Sequence, residues 1–321
     1  MTKLKRKKLI SIGIPCFNEE LNVTQTYREL KRVTNKNKNY QYEFIFVDNG
    51  SADRTRELIS EIARKDKNVI GVFLSRNFGP EASGQAAHDQ ASGDAFILFE
   101  CDLQDPPDLI LDFIKKWEEG FDIVIGVRNK IEDNFFMTFM RKSFYKIFKA
   151  ISNIDVPVNA GGYSLINSKA MKALNSLPEK YRFGRGLRAW IGFKSTRIKY
   201  QRRKRERGKS SYNFLDYLHH AERSFFGFSY LPLDMIIYAG FILVVLAFIF
   251  IFVYLLLFIL YGNPIKGSVT ILVSIVFFGG IQLLAVSVLG KYIQVIVEET
   301  KARPTYIIEK IVNDKNKVSS W

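Results

Sequence analysis

The chain has few cysteines and lacks two common glycine-rich phosphate-binding motifs. Cys16 and Cys101 are its only cysteines, and each lies at the end of a predicted strand. Two cysteines placed in this way are expected to be reduced core residues, which argues against a disulfide framework or a metal pair. Neither G-x-G-x-x-G nor G-x-x-x-x-G-K-[ST] occurs, so a dinucleotide-binding fold and a P-loop kinase are both disfavoured.

Charged residues are absent from two long stretches near the end of the chain. Residues 235–260 and 268–290 contain no Asp, Glu, Lys or Arg. At about 1.5 Å per residue, each stretch is long enough to cross a hydrocarbon layer of roughly 30 Å. Neither stretch has a polar face, which weighs against two buried helices of a soluble core. The short segment 261–267 between them predicts a transmembrane hairpin whose flanks lie on one side.

The abundant charge is positive, with a formal net charge of +15 and a pI of about 9.6. Basic residues cluster within residues 3–8 and 197–209 and follow the second apolar stretch, whereas the hairpin link contains only Lys266. This bias predicts that the N-terminal domain and the C-terminal tail are cytoplasmic, in a multi-pass protein of the bacterial inner membrane. A basic run beside a membrane span usually contacts anionic lipids, so we expect anionic membrane lipids as partners and no nucleic acid.

Four regions follow from these patterns. We expect a cytoplasmic catalytic domain over residues 1–209, interfacial juxtamembrane helices over 210–232, two transmembrane helices within 233–292 and a cytoplasmic tail over 293–321. The second region mixes many aromatic residues with His219, His220, Glu222 and Arg223, a composition typical of helices at a membrane surface. An amphipathic core helix is the alternative for that region.

The first 130 residues alternate short apolar strands with helices. Strands are predicted over residues 9–14, 42–47, 69–74, 95–99 and 122–127, and helices over 19–34, 54–65, 81–92 and 109–119. This α/β alternation predicts a mostly parallel sheet with helices on both faces. In such sheets ligands bind beyond the carboxyl ends of the strands.

Polar side chains follow the predicted strands at that edge. Asn18 and Glu19 follow the first strand, and Asp48 and Asn49 follow the second. After the fourth strand, an acidic segment contains Glu100, Asp102, Gln104 and Asp105 and ends at two prolines. Successive side chains of an extended chain alternate in direction, so Glu100 and Asp102 face one side and Cys101 the other. Oxygen ligands at this spacing suit Mg²⁺ or Mn²⁺, although a solvated acidic turn would have the same sequence.

Six blocks of the sequence resemble glycosyltransferase family 2, whose members have the GT-A fold. Within this family the similarity is to polyprenyl-phosphate glycosyltransferases, such as dolichol-phosphate mannosyltransferase and bactoprenol glucosyltransferases. The blocks are Ile14-Pro-Cys-Phe-Asn-Glu-Glu20, Val47-Asp-Asn-Gly-Ser-Ala-Asp-Arg-Thr55, Leu74-Ser-Arg-Asn-Phe-Gly79, Asp102-Leu-Gln-Asp-Pro-Pro107, Arg205-Glu-Arg-Gly-Lys-Ser-Ser-Tyr212 and Lys301-Ala-Arg-Pro-Thr-Tyr306. The resemblance covers nearly the whole chain.

The resemblance implies roles for individual residues. The nucleotide-binding set is Pro15, Phe17, Glu19, Asp48, Asn49, Cys101 and Asp102. Glu100, Asp102 and Gln104 would hold a Mg²⁺ or Mn²⁺ ion on the diphosphate. Asp102, Arg128 and Arg205 are implied as catalytic, and Arg205, Ser210 and Tyr212 would bind the lipid phosphate. A homo-oligomer is also implied by the family.

Three positions depart from the family pattern. Glu100 replaces the first Asp of D-x-D, and Asn49 replaces the second of two consecutive Asp residues. Gly162, in Asn159-Ala-Gly-Gly-Tyr163, occupies a position where many relatives have an Asp that is proposed to be catalytic. Glu for Asp keeps the charge, and Asn keeps a hydrogen-bonding oxygen. Gly162 provides no side chain, which leaves no base at that position.

The expected function is that of a membrane-bound, inverting glycosyltransferase. It would move a hexose from a nucleotide sugar of the UDP-glucose type to undecaprenyl phosphate or a similar polyprenyl phosphate. The alternatives are a dolichyl-type enzyme that uses GDP-mannose or a modified sugar, and a catalytically weakened membrane partner that binds nucleotide sugar or lipid.

Overall fold

The computed structural model describes residues 6–129, 157, 159–180, 182–203, 230–261 and 268–313. The chain divides into two compact units. The first comprises residues 1–220 together with 303–321, and the second comprises residues 221–302. The first unit is therefore built from both ends of the chain.

Strands and helices alternate through the first 130 residues, as the sequence predicts. The strands are β1 (Leu9–Cys16), β2 (Gln41–Asp48), β3 (Val69–Leu74), β4 (Ala95–Leu98) and β5 (Ile123–Arg128). The helices are α1 (Val23–Thr34), α2 (Thr55–Lys65), α3 (Pro80–Asp89) and α4 (Leu109–Glu118). The strands are almost entirely buried. Helices α1, α2 and α4 each bury an apolar face and expose a polar face.

The rest of the first unit contains β6 (Ala160–Asn167), α5 (Ser168–Asn175), α6 (Gly184–Trp190), β7 (Ser195–Tyr200) and, after the second unit, β8 (Ile308–Val312). All of the strands join one 8-stranded sheet of order β7-β5-β6-β4-β1-β2-β3-β8. The pairs β1/β2, β2/β3, β1/β4 and β5/β7 are parallel, whereas β6 is antiparallel to β4 and β5 and β8 is antiparallel to β3. The predicted, mostly parallel α/β sheet is confirmed.

The register of the central strands brings their carboxyl ends together. Cys16 lies opposite Asp48, and Asp48 lies opposite Phe73. Phe99 extends the pairing of β4 with β1, because its N–H donates to the carbonyl of Gly13 at 2.9 Å. The polar residues that follow β1, β2 and β4 are thus neighbours at one edge of the sheet, although they are far apart in sequence.

The core beneath this edge is aromatic and aliphatic. Its largest fully buried side chains include Phe44, Phe46, Phe96, Phe99, Phe113 and Tyr163. The Tyr163 ring packs against Phe99 at a centroid distance of 5.4 Å and against Phe113 at 4.8 Å. Cys16 and Cys101 are free and buried, as expected for reduced core cysteines. A rigid core of this kind fixes the positions of the loops above it.

The second unit consists of two long helices, α7 (Leu231–Tyr261) and α8 (Ser268–Thr300). Both are long and apolar enough to cross a membrane: the qualifying segments are Leu233–Leu260 and Ser274–Thr300. The large apolar residues described along these segments, such as Phe241, Phe248, Phe277 and Leu283, are exposed in the isolated chain. Helix α8 continues ten residues beyond the predicted span of 268–290. The predicted span ends before Lys291 because that residue is charged, whereas the helix continues through Lys291, Glu298 and Glu299.

The predicted cytoplasmic tail, residues 293–321, contains ordered structure of the first unit. Strand β8 pairs with β3, and the Asn313 side chain donates to the carbonyls of Ala63, Asp66 and Val69 at 2.7, 3.1 and 3.0 Å. Residues 303–313 therefore belong to the sheet domain. Most of the predicted interfacial region, residues 210–232, lies outside the described residues.

Candidate active site

The acidic segment after β4 forms a tight turn at the carboxyl edge of the sheet. Leu103, between Asp102 and Gln104, has a φ of 55°, in the left-handed region that bulky residues rarely adopt. The Asp102 Oδ1 accepts a hydrogen bond from the Gln104 N–H at 3.1 Å, which stabilises the turn. The Thr26 hydroxyl donates to the Cys101 carbonyl at 2.6 Å, and the Cys101 side chain is buried. The turn therefore points Cys101 inward and leaves its two neighbouring carboxylates on the other side, as predicted.

Arg202 brings these carboxylates together. Its Nη2 donates to the Glu100 Oε2 at 2.5 Å and lies 3.7 Å from the Asp102 Oδ2. Its Nε lies 3.3 Å from Asp105 Oδ1. The residue lies two positions beyond the end of β7, and the Arg203 N–H donates to the Gln104 carbonyl at 2.8 Å. A single guanidinium thus neutralises part of the charge of three acidic groups.

Below this cluster, Asp105 is a fully buried carboxylate. Its Oδ1 accepts a hydrogen bond from the Tyr200 hydroxyl at 2.6 Å, and its Oδ2 lies 3.9 Å from Arg128. Burial, assisted by the negative charge of Glu100, raises the pKa of Asp105 to about 6, against the opposing effects of Arg128 and Arg202. Burial disfavours the charged form of Arg128 as well, but Glu100 and Asp105 outweigh it and raise the pKa of this arginine. Arg128 therefore remains a cation at the edge of the site.

Hydrogen bonds join the loops after β1 and β2. Asn18 has a φ of 55°; its N–H donates to the Ser51 hydroxyl at 2.9 Å, and its side-chain oxygen accepts from the Ala52 N–H at 2.9 Å. The Glu19 N–H donates to the Thr55 hydroxyl at 2.8 Å. Pro15, Phe17 and Glu19 are half-buried on this pair of loops. The structure thus places the predicted nucleotide-binding residues of the first block beside those of the second.

Asp48 and Asn49, the other predicted nucleotide contacts, hold the loops in shape. The Asp48 carboxylate is fully buried and accepts from the Ser51 N–H and from the Arg56 Nε, both at 3.1 Å. The Asn49 amide donates to the Asn77 side chain and to the Gly79 carbonyl, and its oxygen accepts from the Phe78 N–H. An aspartate could not make the two donations. This explains structurally why Asn49 can replace the second Asp of the family pattern.

The next residue, Gly50, is required by its surroundings. Its φ is +73°, and a Cβ built on it would lie 2.5 Å from the backbone of Arg76. Any side chain would push the loop after β3 away from the loop after β2. Gly50 therefore allows the loops after β2 and β3 to approach each other closely.

Strand β6 passes the site with two glycines in succession. A Cβ on Gly161 would lie 3.0 Å from Arg128 Nη2, and one on Gly162 would lie 3.2 Å from the Leu98 side chain. The absence of a side chain at Gly161 therefore makes room for the Arg128 guanidinium. Behind the strand, the buried Arg188 donates to the Ser164 hydroxyl at 2.6 Å and to the Gly161 carbonyl at 3.2 Å. These bonds fix the glycine pair.

The acidic segment fits a divalent cation of the Mg²⁺ or Mn²⁺ type. Within the described ranges, no group of three or more His, Cys, Asp or Glu side chains is arranged as a complete metal cage. Mg²⁺ is usually held by one or two carboxylates together with substrate phosphates, and such a site needs no cage. Glu100 and Asp102 provide two carboxylates that already share one cationic partner. Gln104, the third predicted ligand, is in the same turn.

Sequence reasoning did not identify several residues of this cluster. Asp105, Tyr200 and Arg188 were not assigned roles, and Arg202 was grouped with a general basic segment. The available signal was the run of polar residues in Asp102-Leu-Gln-Asp105, but its partners Tyr200 and Arg202 come from the end of β7 and the residues after it, more than 90 positions away. Arg188, on α6, bonds instead to Ser164 and Gly161 of β6. Arg205, Ser210 and Tyr212, predicted to bind the lipid phosphate, lie outside the described residues.

The fold and site together define an α/β domain with a cluster of acidic and basic side chains at the carboxyl edge of its sheet. The model of the family described as glycosyl transferase family 2 matches residues 11–174. The chain is 37% identical over 96% of its length to an uncharacterised glycosyltransferase of Bacillus subtilis, covering 95% of that protein. It is 34% identical over 94% of its length to a prophage bactoprenol glucosyl transferase homolog of Escherichia coli, covering 99% of it. The chain belongs to glycosyl transferase family 2, and it is a glycosyltransferase.

A weaker likeness is to the crystal structure of mannosyl-3-phosphoglycerate synthase from Rubrobacter xylanophilus. The TM-score is 0.49 with 15% identity, over 67% of this chain and 71% of that one.

Proposed function

We propose that this glycosyltransferase moves a hexose from a nucleotide sugar to a polyprenyl phosphate at a membrane. The observation that carries the proposal is the full-length similarity to the bactoprenol glucosyl transferase homolog, which extends through both apolar helices. The cluster at the sheet edge supports the same conclusion, because its arginines suit an anionic donor and acceptor and its carboxylates suit a divalent cation on the donor diphosphate.

We assign different parts of donor binding and activation to different residues at the sheet edge. Glu100 and Asp102, with Gln104 in the same turn, would hold a divalent cation on the donor diphosphate. When bound, that ion would supply charge stabilisation for the departing nucleotide. Arg128, held as a cation beside Asp105, would stabilise the same negative charge. We assign the nucleoside end of the donor to the interlocked loops after β1 and β2.

The acceptor chemistry agrees with the glycine at position 162. A hydroxyl acceptor needs a general base, because it is a poor nucleophile at neutral pH. A phosphate monoester has a second pKa of about 6, by analogy with phosphorylated side chains, so at pH 7 its oxygen is already anionic. Catalysis then requires that the oxygen be oriented for attack from the face opposite the leaving group, which inverts the anomeric centre. Arg205, Ser210 and Tyr212 stay our predicted contacts for that phosphate.

The membrane is the environment that the second unit requires. The exposed apolar surface of α7 and α8 is far larger than a soluble monomer tolerates, and lipid is the covering that fits two such long helices. With Lys266 alone in the hairpin link and basic clusters on both flanks, we place the sheet domain on the cytoplasmic face of the bacterial cell membrane. Anionic lipids are the expected neighbours of the basic flanks. A homo-oligomer stays a prediction from the family.

The test is transfer of radiolabel into lipid. Purified protein in detergent or vesicles is incubated with undecaprenyl phosphate and a panel of labelled UDP- and GDP-sugars, and organic-extractable label is counted. We expect transfer from a UDP-hexose in the presence of Mg²⁺ or Mn²⁺. Transfer only from GDP-mannose would favour the dolichyl-type alternative. Nucleotide binding without any transfer would favour a weakened binding partner and would contradict the proposed enzyme.

A further inference from the structure

Strand β8 brings the end of the chain to the edge of the sheet nearest the loop after β2. It pairs with β3 so that Lys310 lies opposite Phe73 and Ile308 opposite Leu74, with an irregularity between these pairs. Glu309 is the residue left between the two pairs. The Ser75 N–H donates to the Ile307 carbonyl at 3.0 Å, so the pairing continues past the irregularity. Bulges of this kind redirect a side chain, and they are frequent next to active sites.

The redirected side chain of Glu309 reaches Arg56 on α2. The Glu309 Oε2 accepts from the Arg56 Nη2 at 2.7 Å, and the same nitrogen lies 3.3 Å from the Leu74 carbonyl, to which it also donates. The guanidinium lies 5.5 Å from the centre of the Phe73 ring. Glu309 and Leu74 thus fix the outer end of an arginine whose side chain is still 38% exposed.

The inner side of the same guanidinium holds Asp48. The Arg56 Nε donates to the Asp48 Oδ2 at 3.1 Å, and the other carboxylate oxygen accepts from the Ser51 N–H. Asp48 is fully buried, and a buried carboxylate is strongly destabilising without a charged partner. Ser51 in turn holds Asn18 in the loop after β1. One chain of contacts therefore runs from Glu309 through Arg56 and Asp48 to both loops of the site.

We infer that Glu309 and Arg56 are positioning residues for the nucleoside end of the donor site. Glu309 orients Arg56; Arg56 holds Asp48; and Asp48 keeps the loop after β2 in the conformation that receives the nucleoside. The segment after the second apolar helix would thus help to position the residues that bind the donor. The inference rests on the proposed function insofar as it assigns the nucleoside to these two loops.

The experiment compares three single variants in the full-length protein. Glu309→Gln keeps the size of the side chain and removes its charge. Lys310→Gln is the matched control, because Lys310 is an exposed neighbour on the same strand. Arg56→Lys keeps the charge that Asp48 needs but cannot bond to Asp48, Glu309 and Leu74 together. The measurements are donor KM and kcat, affinity for UDP and GDP by calorimetry, and hydrogen exchange of amides 49–53.

We expect Glu309→Gln to raise the donor KM and the nucleotide Kd by about three- to tenfold while kcat changes by less than about twofold. The exchange of amides 49–53 should accelerate in the same variant, and Lys310→Gln should match the wild type. Arg56→Lys combined with Glu309→Gln should be no worse than Arg56→Lys alone, because both act through one guanidinium.

Two results would overturn the inference. One is a Glu309→Gln variant that matches Lys310→Gln in KM, Kd and exchange. The other is a lowered melting temperature with KM, Kd and loop exchange unchanged, which would show that Glu309 only stabilises the sheet edge. Failure of the wild type to bind either nucleotide would instead contradict the proposed function, and loop exchange would still decide whether Glu309 controls the loop.

Discussion

Two arginines lie beside the acidic segment, and Arg202 is the nearer one to Glu100, at 2.5 Å compared with 3.8 Å for Arg128. The Arg202 guanidinium contacts Glu100 and lies within 4 Å of Asp102, the two carboxylates assigned to a divalent cation. Two positive charges cannot occupy the same space, and a divalent ion placed between these carboxylates would repel the guanidinium. Arg202 is therefore expected to compete with the ion and to move when the donor complex forms.

We predict that Arg202→Gln binds Mn²⁺ more tightly than the wild type when no nucleotide is present. Removing one positive charge that is 25% exposed should increase the affinity by about three- to tenfold. Electron paramagnetic resonance of free Mn²⁺ measures this directly. Arg203→Gln is the control, because Arg203 is adjacent and exposed. Unchanged or weaker affinity in Arg202→Gln would contradict the competition.

Substitutions of Asp102 and Glu100 should differ in their effect on activity. We predict that Asp102→Asn lowers sugar transfer by about 100-fold or more, because it removes a charge from the ion site without changing shape. Glu100→Asp should retain or increase activity, since it keeps the charge and restores the shorter ligand of the family pattern. Initial rates with Mg²⁺ or Mn²⁺, repeated in excess chelator, check both. Full activity in chelator would remove the metal from the mechanism.

Gly162 leads to a prediction about the acceptor. If the acceptor is a phosphate that is already ionised, Gly162→Asp should not increase turnover, although a Cβ there needs only a small movement of Leu98. The lipid phosphate should be used and the corresponding lipid alcohol should not. Turnover of both acceptors by wild type and variant is the measurement. A tenfold gain in the variant, or equal use of the alcohol, would show that a base is needed.

At the scale of elements, helix α3 contains a buried titratable group. The His88 ring packs against Phe96 with ring centroids 4.1 Å apart and an angle of 37° between the ring planes. Burial lowers the pKa of His88 to about 3, and the positive charges of Arg182 and Arg188 act in the same direction. Above pH 6.5 this histidine is neutral in both folded and unfolded chains. As the pH falls below 6.5, the unfolded chain takes up a proton that the folded chain does not, so stability is lost.

We predict that His88→Leu reduces the acid sensitivity of the protein. Between pH 7 and pH 5 the wild type should lose about 2 kcal/mol more of its unfolding free energy than the variant. Thermal or denaturant unfolding of the detergent-solubilised proteins at several pH values measures the difference. Between pH 7 and pH 8 the difference should stay constant. If the wild type and His88→Leu lose the same unfolding free energy below pH 6.5, His88 is not kept neutral by the fold.

The first five strands and four helices were predictable because each carries its own local signal. The predicted strand 69–74 coincides with β3, and the ends of the other four differ by one or two residues. The helix predicted from residue 19 begins at Val23, because Glu19 accepts backbone bonds from Asn22 and Val23 in a preceding turn. Strand β8 was not predicted, since Ile308–Val312 has only five residues and its partner lies more than 230 positions earlier.

In the candidate site, too, residues with a local sequence signal were predictable, and residues that depend on distant partners were not. Residues at or shortly beyond the carboxyl ends of strands, such as Asp48 and Asp102, were predictable because parallel strands end at a common edge. Arg202, Tyr200 and Glu309 were not assigned these roles, because their contacts depend on which strands become neighbours in the sheet. The antiparallel insertion of β6 between β4 and β5 determines the neighbours of Tyr200 and Arg202, and the pairing of β8 with β3 determines those of Glu309. No local pattern in the sequence specifies either arrangement.

At the scale of the whole molecule, the two apolar helices predict a topology that labelling can test. In a background with Cys16 and Cys101 replaced by Ala, Lys266→Cys should react with a membrane-impermeant maleimide on intact spheroplasts. Lys310→Cys, on β8, should react only after permeabilisation, because the proposed topology places the hairpin link outside and the sheet domain in the cytoplasm. Labelling of Lys310→Cys in intact spheroplasts, with Lys266→Cys protected, would reverse the topology.

The origin of β8 also sets the order in which the protein can be completed during synthesis. The edge of the sheet next to β3 is filled by residues that the ribosome makes after both apolar helices. At about 5 to 20 residues per second, the roughly 110 residues that separate β7 from β8 take on the order of ten seconds to synthesise. During that interval the β3 edge has no partner strand, and Arg56 lacks Glu309. A newly made chain therefore acquires its complete sheet only after both apolar helices have been synthesised, so that completion of the enzyme depends on the synthesis of the second unit.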